Sequence, residues 1–329
     1  SRPLVVATAP GPGSGKLATC LSQLYHEYKR GIKAGYAKFE TFPIWNLPLG
    51  HAVNVAYEAA TADLKDVNKV DNFHLEAYGK MAVNYNRDID VFPVVRSILT
   101  KISGSELVYR SPTDMGVNMA GYCIVDDDAC VEASKQEVIR RYFKALVDYK
   151  NGTAKPSTVH RLEFLMSGLG ISPADRKVVA AARAKSDCNG GRGAVAIELD
   201  DGRIVTGKNT EMMSASAACV FNAVKVLAGI DDGVKLISPY VIGPILDLKT
   251  KILNERENPL TLDEALIALS ICAATDANAA RATEKLSELS GMEAHSSHML
   301  LKADENPFRK LGVNLTCDPE FLDNNLYNN

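Results

Sequence analysis

The sequence predicts an α/β protein built from three parts in chain order. A β-branched run breaks into a glycine-rich loop and then into a helical pattern, which predicts a β-α-β unit over residues 1–48. Residues 49–187 repeat apolar side chains every three to four positions and predict a helical domain. Residues 188–329 open on a hairpin signal followed by helical segments, which predicts a mixed α/β domain.

The first part is predicted to run from a strand around Val5 through a helix over 17–30 to a second strand over 36–42. Parallel strands joined in this way place their ligand crevice at the carboxyl ends of the strands. Glu40 is therefore expected beside the glycine-rich loop. It would bind ribose hydroxyls there, as an acid does in dinucleotide folds, or remain an exposed glutamate at the strand end.

The glycine-rich loop reads Pro10-Gly11-Pro12-Gly13-Ser14-Gly15-Lys16. Glycines let successive N–H groups point inward, the next helix adds its positive end, and Lys16 adds a point charge. The Walker A pattern fits Gly15 and Lys16 but fails at Pro10 and at Leu17, where the Mg²⁺-binding hydroxyl would stand. The dinucleotide pattern G-x-G-x-x-G fails at Lys16. The predicted phosphate-binding residues are Gly11, Gly13, Ser14, Gly15 and Lys16, and the alternative is a structural turn.

Two polar clusters stand at the mouths of predicted helices, at residues 84–88 and 111–114. Arg87 in the first cluster either clamps a phosphate or carboxylate of the ligand bidentately or forms a surface ion pair. We count it among the predicted cofactor-binding residues with Glu40. Asp88 and Asp114 are expected mainly as helix N-caps rather than as ligands.

For several other residues we expect a structural role rather than a functional one. Trp45 is expected to anchor its loop on the helical domain rather than to stack a base. The acidic run 126–128 is expected to cap the following helix rather than to bind Mg²⁺. His295 and His298 are three apart and would face opposite sides of a strand, so we expect no zinc there and predict no metal site in the chain.

The C-terminal part shows clear local signals. Apolar segments 194–199 and 203–207 flank Asp200-Asp201-Gly202, which predicts a hairpin. A helix of small residues is predicted over 214–229. Thr261 and Glu264 form a capping box that opens another helix.

Composition restricts the function classes. The chain has 329 residues, a net charge of −3 and 46 % hydrophobic residues, so it shows neither a basic footprint for nucleic acid or anionic membrane nor a disordered composition. No apolar run reaches transmembrane length and nothing resembles a signal peptide.

The seven cysteines have no C-x-x-C spacing, which predicts reduced thiols in a cytoplasmic protein. The abrupt start without Met predicts a missing upstream portion.

Several runs together resemble a bacterial family of unknown function, domain-of-unknown-function family eighteen-forty-six. They are T-A-P-G-P-G-S-G-K, Y-A-K-F-E-T-F-P-I-W-N-L-P, A-Y-E-A-A-T-A-D-L, N-Y-N-R-D and S-P-T-D-M-G-V-N-M. The resemblance covers essentially the whole chain. It implies a family N-terminal region ahead of the Arg-Pro-Leu-Val-Val run. This chain is expected to lack that region and to pack against it in the full-length protein. Some members are labelled ATP-dependent peptidases, but no catalytic residues come with the resemblance.

The run G-A-V-A-I-E-L-D-D-G-R-I-V-T-G-K-N-T-E, with the helix after it, resembles the opening of the cytidine-deaminase-like fold. That fold binds zinc through His/Cys-x-Glu at one helix start and P-C-x-x-C at another. Here Cys219 is followed by Val220 and Phe221, and the chain contains no Pro-Cys dipeptide. The resemblance therefore implies the fold without its zinc site.

These observations favour a cytoplasmic protein that binds a nucleotide or another phosphorylated small molecule at the loop from Gly11 to Lys16. If it is an enzyme, the expected class is a phosphate- or nucleotide-dependent transferase or hydrolase, with the need for Mg²⁺ left open. The first alternative is a non-catalytic scaffold or sensor with a structural glycine loop. The second is the peptidase of the family label, for which the chain shows no metal or nucleophile motif. No nucleic-acid or membrane partner is expected, and a homo-oligomer is a general expectation for enzymes of this size.

Overall fold

The computed structural model describes residues 3–10, 13–39, 43–104, 109–116, 118–255 and 259–322. In that part of the chain it contains twelve α-helices and two small sheets, so the predicted mixed α/β class is confirmed. The chain divides into two compact units, Ser1–Val138 (unit 1) and Ile139–Asn329 (unit 2). The predicted limits near 48 and 187 stay a prediction. None of the described helices is both long and apolar enough to span a bilayer.

Unit 1 is mainly helical. Its elements are α1 (Lys16–Lys29), α2 (Ala52–Ala60), β1 (Asn68–Val70), α3 (Asn72–Tyr78), β2 (Val83–Tyr85), α4 (Asn86–Ser103) and the start of α5 (Asp127–Lys150). The helical spacing read from the sequence over residues 49–187 agrees with the helices α2, α3, α4 and α5. It misses β1 and β2, which pair antiparallel with Val70 opposite Val83. Three residues per strand are too few to show alternation in a sequence.

The core of unit 1 joins α1 to α4. Leu24 of α1 is buried against Phe92, Val95 and Leu99 of α4, and Leu99 is completely inaccessible. The apolar residues of α4 recur at three- and four-residue intervals, so a single helix face enters the core. This packing fixes the position of α1, and with it the glycine loop that precedes the helix.

The prediction of a β-α-β unit is wrong for the described residues, in which only the helix α1 forms. Residues 3–9 form no strand, and Leu4 is 87 % exposed. Around the second predicted strand, Tyr36 donates its N–H to the Tyr109 hydroxyl (2.8 Å), which in turn donates to the Tyr36 carbonyl (2.6 Å). Among the described residues of this segment, 36–39, Lys38 alone makes a β-bridge, with Gly116. A segment of the chain becomes a strand only where a neighbouring backbone pairs with it. At Tyr36 the Tyr109 side chain bonds to both the backbone N–H and the backbone C=O, in place of a strand.

Unit 2 contains a four-stranded sheet covered by helices. After α5 come α6 (Pro156–Gly168), α7 (Lys177–Asp187), β3 (Ala194–Glu198), β4 (Ile204–Lys208), α8 (Ala215–Ala228), α9 (Pro239–Asp247), α10 (Leu262–Ala273), α11 (Ala277–Glu284), β5 (Glu293–Ser296), α12 (Lys302–Lys310) and β6 (Asn314–Cys317). The strand order is β4-β3-β5-β6, and β5 and β6 are parallel while the other pairs are antiparallel.

Helices pack on both faces of this sheet. In β3, Val195 and Ile197 join the large core that contains α8, whereas Ala196 packs with Val178 and Ala182 of α7. All three β3 residues are completely buried because both faces are covered. The unit is therefore a three-layer α/β/α arrangement. The likeness to the cytidine-deaminase-like fold stays a prediction.

Three local predictions for these parts of the chain are confirmed. β3 and β4 form the predicted hairpin, with Glu198 opposite Ile204. α8 occupies the helix predicted over 214–229. Glu264 accepts the Thr261 N–H (2.9 Å) at the start of α10, which is the carboxylate half of the capping box. These signals depend on neighbours within a few residues, and for that reason the sequence alone reveals them.

At Gly207, β4 lies too close to the backbone of α8 to leave room for a side chain. A methyl group on this residue would lie 2.6 Å from the Ala215 carbonyl oxygen, and that oxygen belongs to backbone that cannot rotate away. We expect Gly207→Ala to lower the free energy of unfolding by about 1–3 kcal/mol, measured by urea denaturation with far-UV circular dichroism. Gly243→Ala is the control, because open space surrounds Gly243 in α9. Equal midpoints for the two variants would contradict this packing.

Candidate functional site

The glycine loop ends in a left-handed turn that leads directly into α1. Gly13 has φ 73° and Gly15 has φ 88°, a region that residues with side chains rarely adopt. Gly15 is the N-cap residue of α1, and having no side chain it offers no cap to the first N–H groups of the helix. Gly11, predicted to belong to the same loop, lies outside the described residues. The described part therefore presents the N-terminal amides of a 14-residue helix at an exposed surface.

The side chains around this turn point back onto it. The Lys16 ammonium lies 3.2 Å from the Ser14 hydroxyl oxygen. Thr19 donates its hydroxyl to the Gly15 carbonyl (3.2 Å) and so supports the helix start. The local chemistry suits an anion that needs amide donors and a cation.

Of the two other predicted binding residues, the structure describes Arg87, and the ion pair that it makes lies away from this turn. Glu40 falls outside the described residues. Arg87, in the first turn of α4, places Nη2 2.5 Å from Oδ2 of the buried Asp66, which matches the ion-pair alternative. Asp88 is not the N-cap of α4, which is Tyr85. Asp88 lies in the first turn of the helix, and its carboxylate accepts the Lys38 ammonium at 2.7 Å.

The two polar clusters of the sequence meet in the interior of unit 1, around Asp71. The Thr113 N–H and hydroxyl both donate to Asp71 Oδ2 (3.1 and 2.6 Å), and the His74 N–H donates to Oδ1 (3.0 Å). Asn84 contacts the Thr113 hydroxyl at 3.5 Å. Asp71 is completely buried and caps α3. Its position just before a helical apolar pattern is an N-cap signal that sequence reasoning missed.

A serine and a histidine are adjacent in this cluster. The Ser111 hydroxyl lies 3.0 Å from His74 Nδ1 and accepts the Asp114 N–H at 3.1 Å. Asp114 also accepts the Tyr78 hydroxyl proton (2.9 Å); burial, followed by this carboxylate, raises the pKa of Tyr78. Ser111 is completely buried and stabilises its own turn. The pair therefore supports the fold, since a nucleophile must be reachable by its substrate.

Trp45 packs against neighbouring rings, as expected of a residue that anchors its loop. Its ring centre lies 6.1 Å from that of Tyr122 and 6.0 Å from that of His74. The polar cavity beside it, lined in part by Asn84, Thr113 and Asn118, measures about 20 Å³. That volume holds a single water molecule and is far too small for a nucleobase. The geometry thus favours the anchor over the base-stacking alternative.

Unit 2 contains a buried arginine that joins β5 to β6. Arg176 is 1 % exposed, and its Nη1 pairs with Glu293. Nη2 donates to the carbonyls of Ala294 (2.8 Å) and Asn314 (2.6 Å), and Nε donates to the Thr316 hydroxyl (3.0 Å). Burial lowers the pKa of Arg176, while Glu293 raises it. Four of the five N–H donors of the guanidinium thus bond to groups inside the protein.

His295 and His298 are both buried, as structural histidines are expected to be. His295 Nδ1 lies 2.8 Å from the Thr316 hydroxyl and Nε2 lies 3.5 Å from Asp318, which Arg183 holds with two bonds. Burial lowers the pKa of His295, and it lowers that of His298 to about 4. Across the described ranges, no three His, Cys, Asp or Glu side chains are grouped closely enough to hold a metal ion.

Comparison with known proteins places these units in one family. The model described as "Domain of unknown function DUF1846, N-terminal" matches residues 1–170, and the one described as "Domain of unknown function DUF1846, C-terminal" matches residues 174–327. Both halves of the family thus match within this chain. The matches give no support to the expectation that a family N-terminal region is missing.

Two relatives carry the name UPF0371 protein. The one from Streptococcus thermophilus is 58 % identical over 327 residues, which cover 99 % of this chain and 66 % of the relative. The one from Clostridium tetani is 54 % identical over 336 residues, which cover 100 % of this chain and 67 % of the relative. The chain therefore spans about two thirds of the length of these relatives. On both comparisons, the chain belongs to the DUF1846 family of proteins of unknown function.

Proposed function

We propose that unit 1 binds the phosphate group of a nucleotide or another phosphorylated small molecule at the N-terminus of α1. The observation that carries the proposal is the left-handed Gly15 directly ahead of Lys16, with the lysine ammonium folded toward Ser14. Such a turn directs the first helix amides at one point outside the helix, where the helix dipole also favours negative charge. The ammonium adds a point charge at the same place.

The local residues favour phosphate binding by amides and lysine over a Walker-type Mg²⁺ site. Leu17 occupies the position of the metal-binding hydroxyl and has no oxygen to offer a metal ion. Arg87 stays part of the proposal only as a residue that would have to leave Asp66 to reach a ligand. We therefore assign the binding to Gly13, Ser14, Gly15 and Lys16, with Gly11 and Glu40 as further predicted contacts.

Thermal unfolding in the presence of ligands tests this site. With ATP, GTP or glucose 6-phosphate, each with and without Mg²⁺, we expect at least one ligand to raise the melting temperature. A ligand at 100 times its Kd stabilises the folded state by about 2.7 kcal/mol. Lys16→Ala should abolish the rise. Lys29→Ala removes an exposed lysine at the other end of the same helix and should preserve it.

A second variant separates binding from folding. Ser14→Glu places a carboxylate at an exposed position in the turn and should also abolish the rise while the unliganded melting temperature stays unchanged. A flat response of the unmodified protein to the whole panel would show that the glycine loop is structural, as in a non-catalytic scaffold or sensor. A rise that survives both Lys16→Ala and Ser14→Glu would place the ligand elsewhere.

A further inference from the structure

A groove of about 480 Å³ runs along α4 of unit 1, on the side that faces α3. Ligand pockets in proteins commonly measure about 300–1,000 Å³, so this groove has the size for a small organic molecule. The cavity beside Trp45, at about 20 Å³, does not. The groove is lined by Phe73, Phe92, Pro93, Arg96, Ser97, Thr100 and Lys101.

The floor of the groove is apolar and held by the core. The rings of Phe73 and Phe92 lie 4.9 Å apart at 56°, and Phe92 is only 1 % exposed because it packs with Leu24 and Leu99. Pro93 is exposed beside them. A floor that the core already fixes needs little ordering when an apolar ligand covers it.

The walls of the groove are cationic. Arg96 and Lys101 are exposed, Ser97 and Thr100 add two hydroxyls, and no acidic residue is part of the described lining. In the described part of the chain neither cation has an ion pair, whereas Arg87 in the same helix is paired with Asp66. An apolar floor between unneutralised cations is complementary to a molecule that is apolar at one end and anionic at the other.

We propose that this groove binds an amphipathic organic anion, with an apolar ring or short chain on Phe73 and Pro93 and the anionic group held by Arg96 and Lys101. Ser97 and Thr100 donate to the remaining oxygens of the anionic group. The proposal does not depend on phosphate binding at α1, because none of the groove residues belongs to that turn.

Three matched probes test the proposal by titration calorimetry on the full chain. 3-Phenylpropionate has both the ring and the charge, 3-phenylpropanamide lacks the charge, and propionate lacks the ring. We expect 3-phenylpropionate to bind at least about tenfold more tightly than either of the others, since each lacks one half of the interaction. Arg96→Ala and Lys101→Ala should each raise its Kd by about tenfold.

Further variants identify the groove as the place of binding. Ser97→Trp fills the groove from an exposed position and should abolish binding, with an unchanged circular dichroism spectrum showing that the fold persists. Lys80→Ala removes an exposed cation of the same unit outside the lining, and Lys16→Ala removes the cation of the α1 turn. Both should leave the Kd unchanged. Equal affinity for 3-phenylpropionate and its amide would overturn the proposal, as would binding that persists in Ser97→Trp.

Discussion

We expect Arg176→Met to lower the free energy of unfolding by about 3–5 kcal/mol, the cost of removing one partner of a buried ion pair. The guanidinium is 1 % exposed and bonds to Glu293, two backbone carbonyls and the Thr316 hydroxyl. Methionine fills much of the same volume but satisfies none of these acceptors. Arg140 still pairs with Glu293 at 2.5 Å and the Thr316 hydroxyl still donates to the Ala294 carbonyl, so the loss consists of the bonds that Arg176 itself makes.

Urea denaturation followed by far-UV circular dichroism measures this loss. Fluorescence is unsuitable because the single tryptophan, Trp45, lies in unit 1. Arg203→Ala is the matched control, since Arg203 pairs with Asp201 at an exposed hairpin turn, where ion pairs contribute little. A midpoint for Arg176→Met equal to that of the control would show that the buried network adds nothing to stability.

We also expect acid to destabilise unit 2, mainly through His298. Its pKa is about 4 in the folded protein because it is buried, against about 6.5 for a free imidazole. Between these values the unfolded chain binds a proton that the folded protein does not, so stability present above pH 6.5 is lost as the pH falls to 4. The difference corresponds to roughly 3 kcal/mol. His295 acts in the same direction.

Two carboxylates shape the rest of the acid response. Burial raises the pKa of Asp318, but hydrogen bonds from Arg183 and His295, with the charges of these residues, lower it to about 2. A further loss of stability is therefore expected below pH 4, as the Asp318 carboxylate becomes protonated. Asp304 has the opposite effect, because burial raises its pKa and its protonated form is favoured in the folded state. The losses from His298 and Asp318 should dominate, because both have large shifts of the same sign.

The pH dependence is checked by urea midpoints measured from pH 7 to pH 4. We expect the free energy of unfolding to fall across this range in the unmodified protein and to fall less steeply in His298→Gln, which carries no titrating group at that position. His160→Gln, on the exposed face of α6, should keep the original slope. Identical slopes for His298→Gln and the unmodified chain would exclude His298 as the source.

The candidate sites differ in how far the sequence anticipates them. The glycine turn at Gly13 and Gly15 is visible in the chain because positive φ values and a following helix depend on adjacent residues. The polar runs near Asn84 and Thr113 are visible too, but their meeting at Asp71 is not, because 42 residues separate Asp71 from Thr113. The α4 groove is also invisible, since only packing brings Phe73 beside Phe92.

Local patterns in the chain are enough to place α4, α5, α8 and the β3–β4 hairpin, because helix periodicity, caps and turns involve residues a few positions apart. They are also enough to identify the family, now shown by the matches over both halves. They fail for the predicted strand around Val5, which forms no strand in the described residues. They also give no sign that Arg176 is buried. Strand pairing and the burial of charge depend on segments far apart in the chain, and only the tertiary structure brings those segments together.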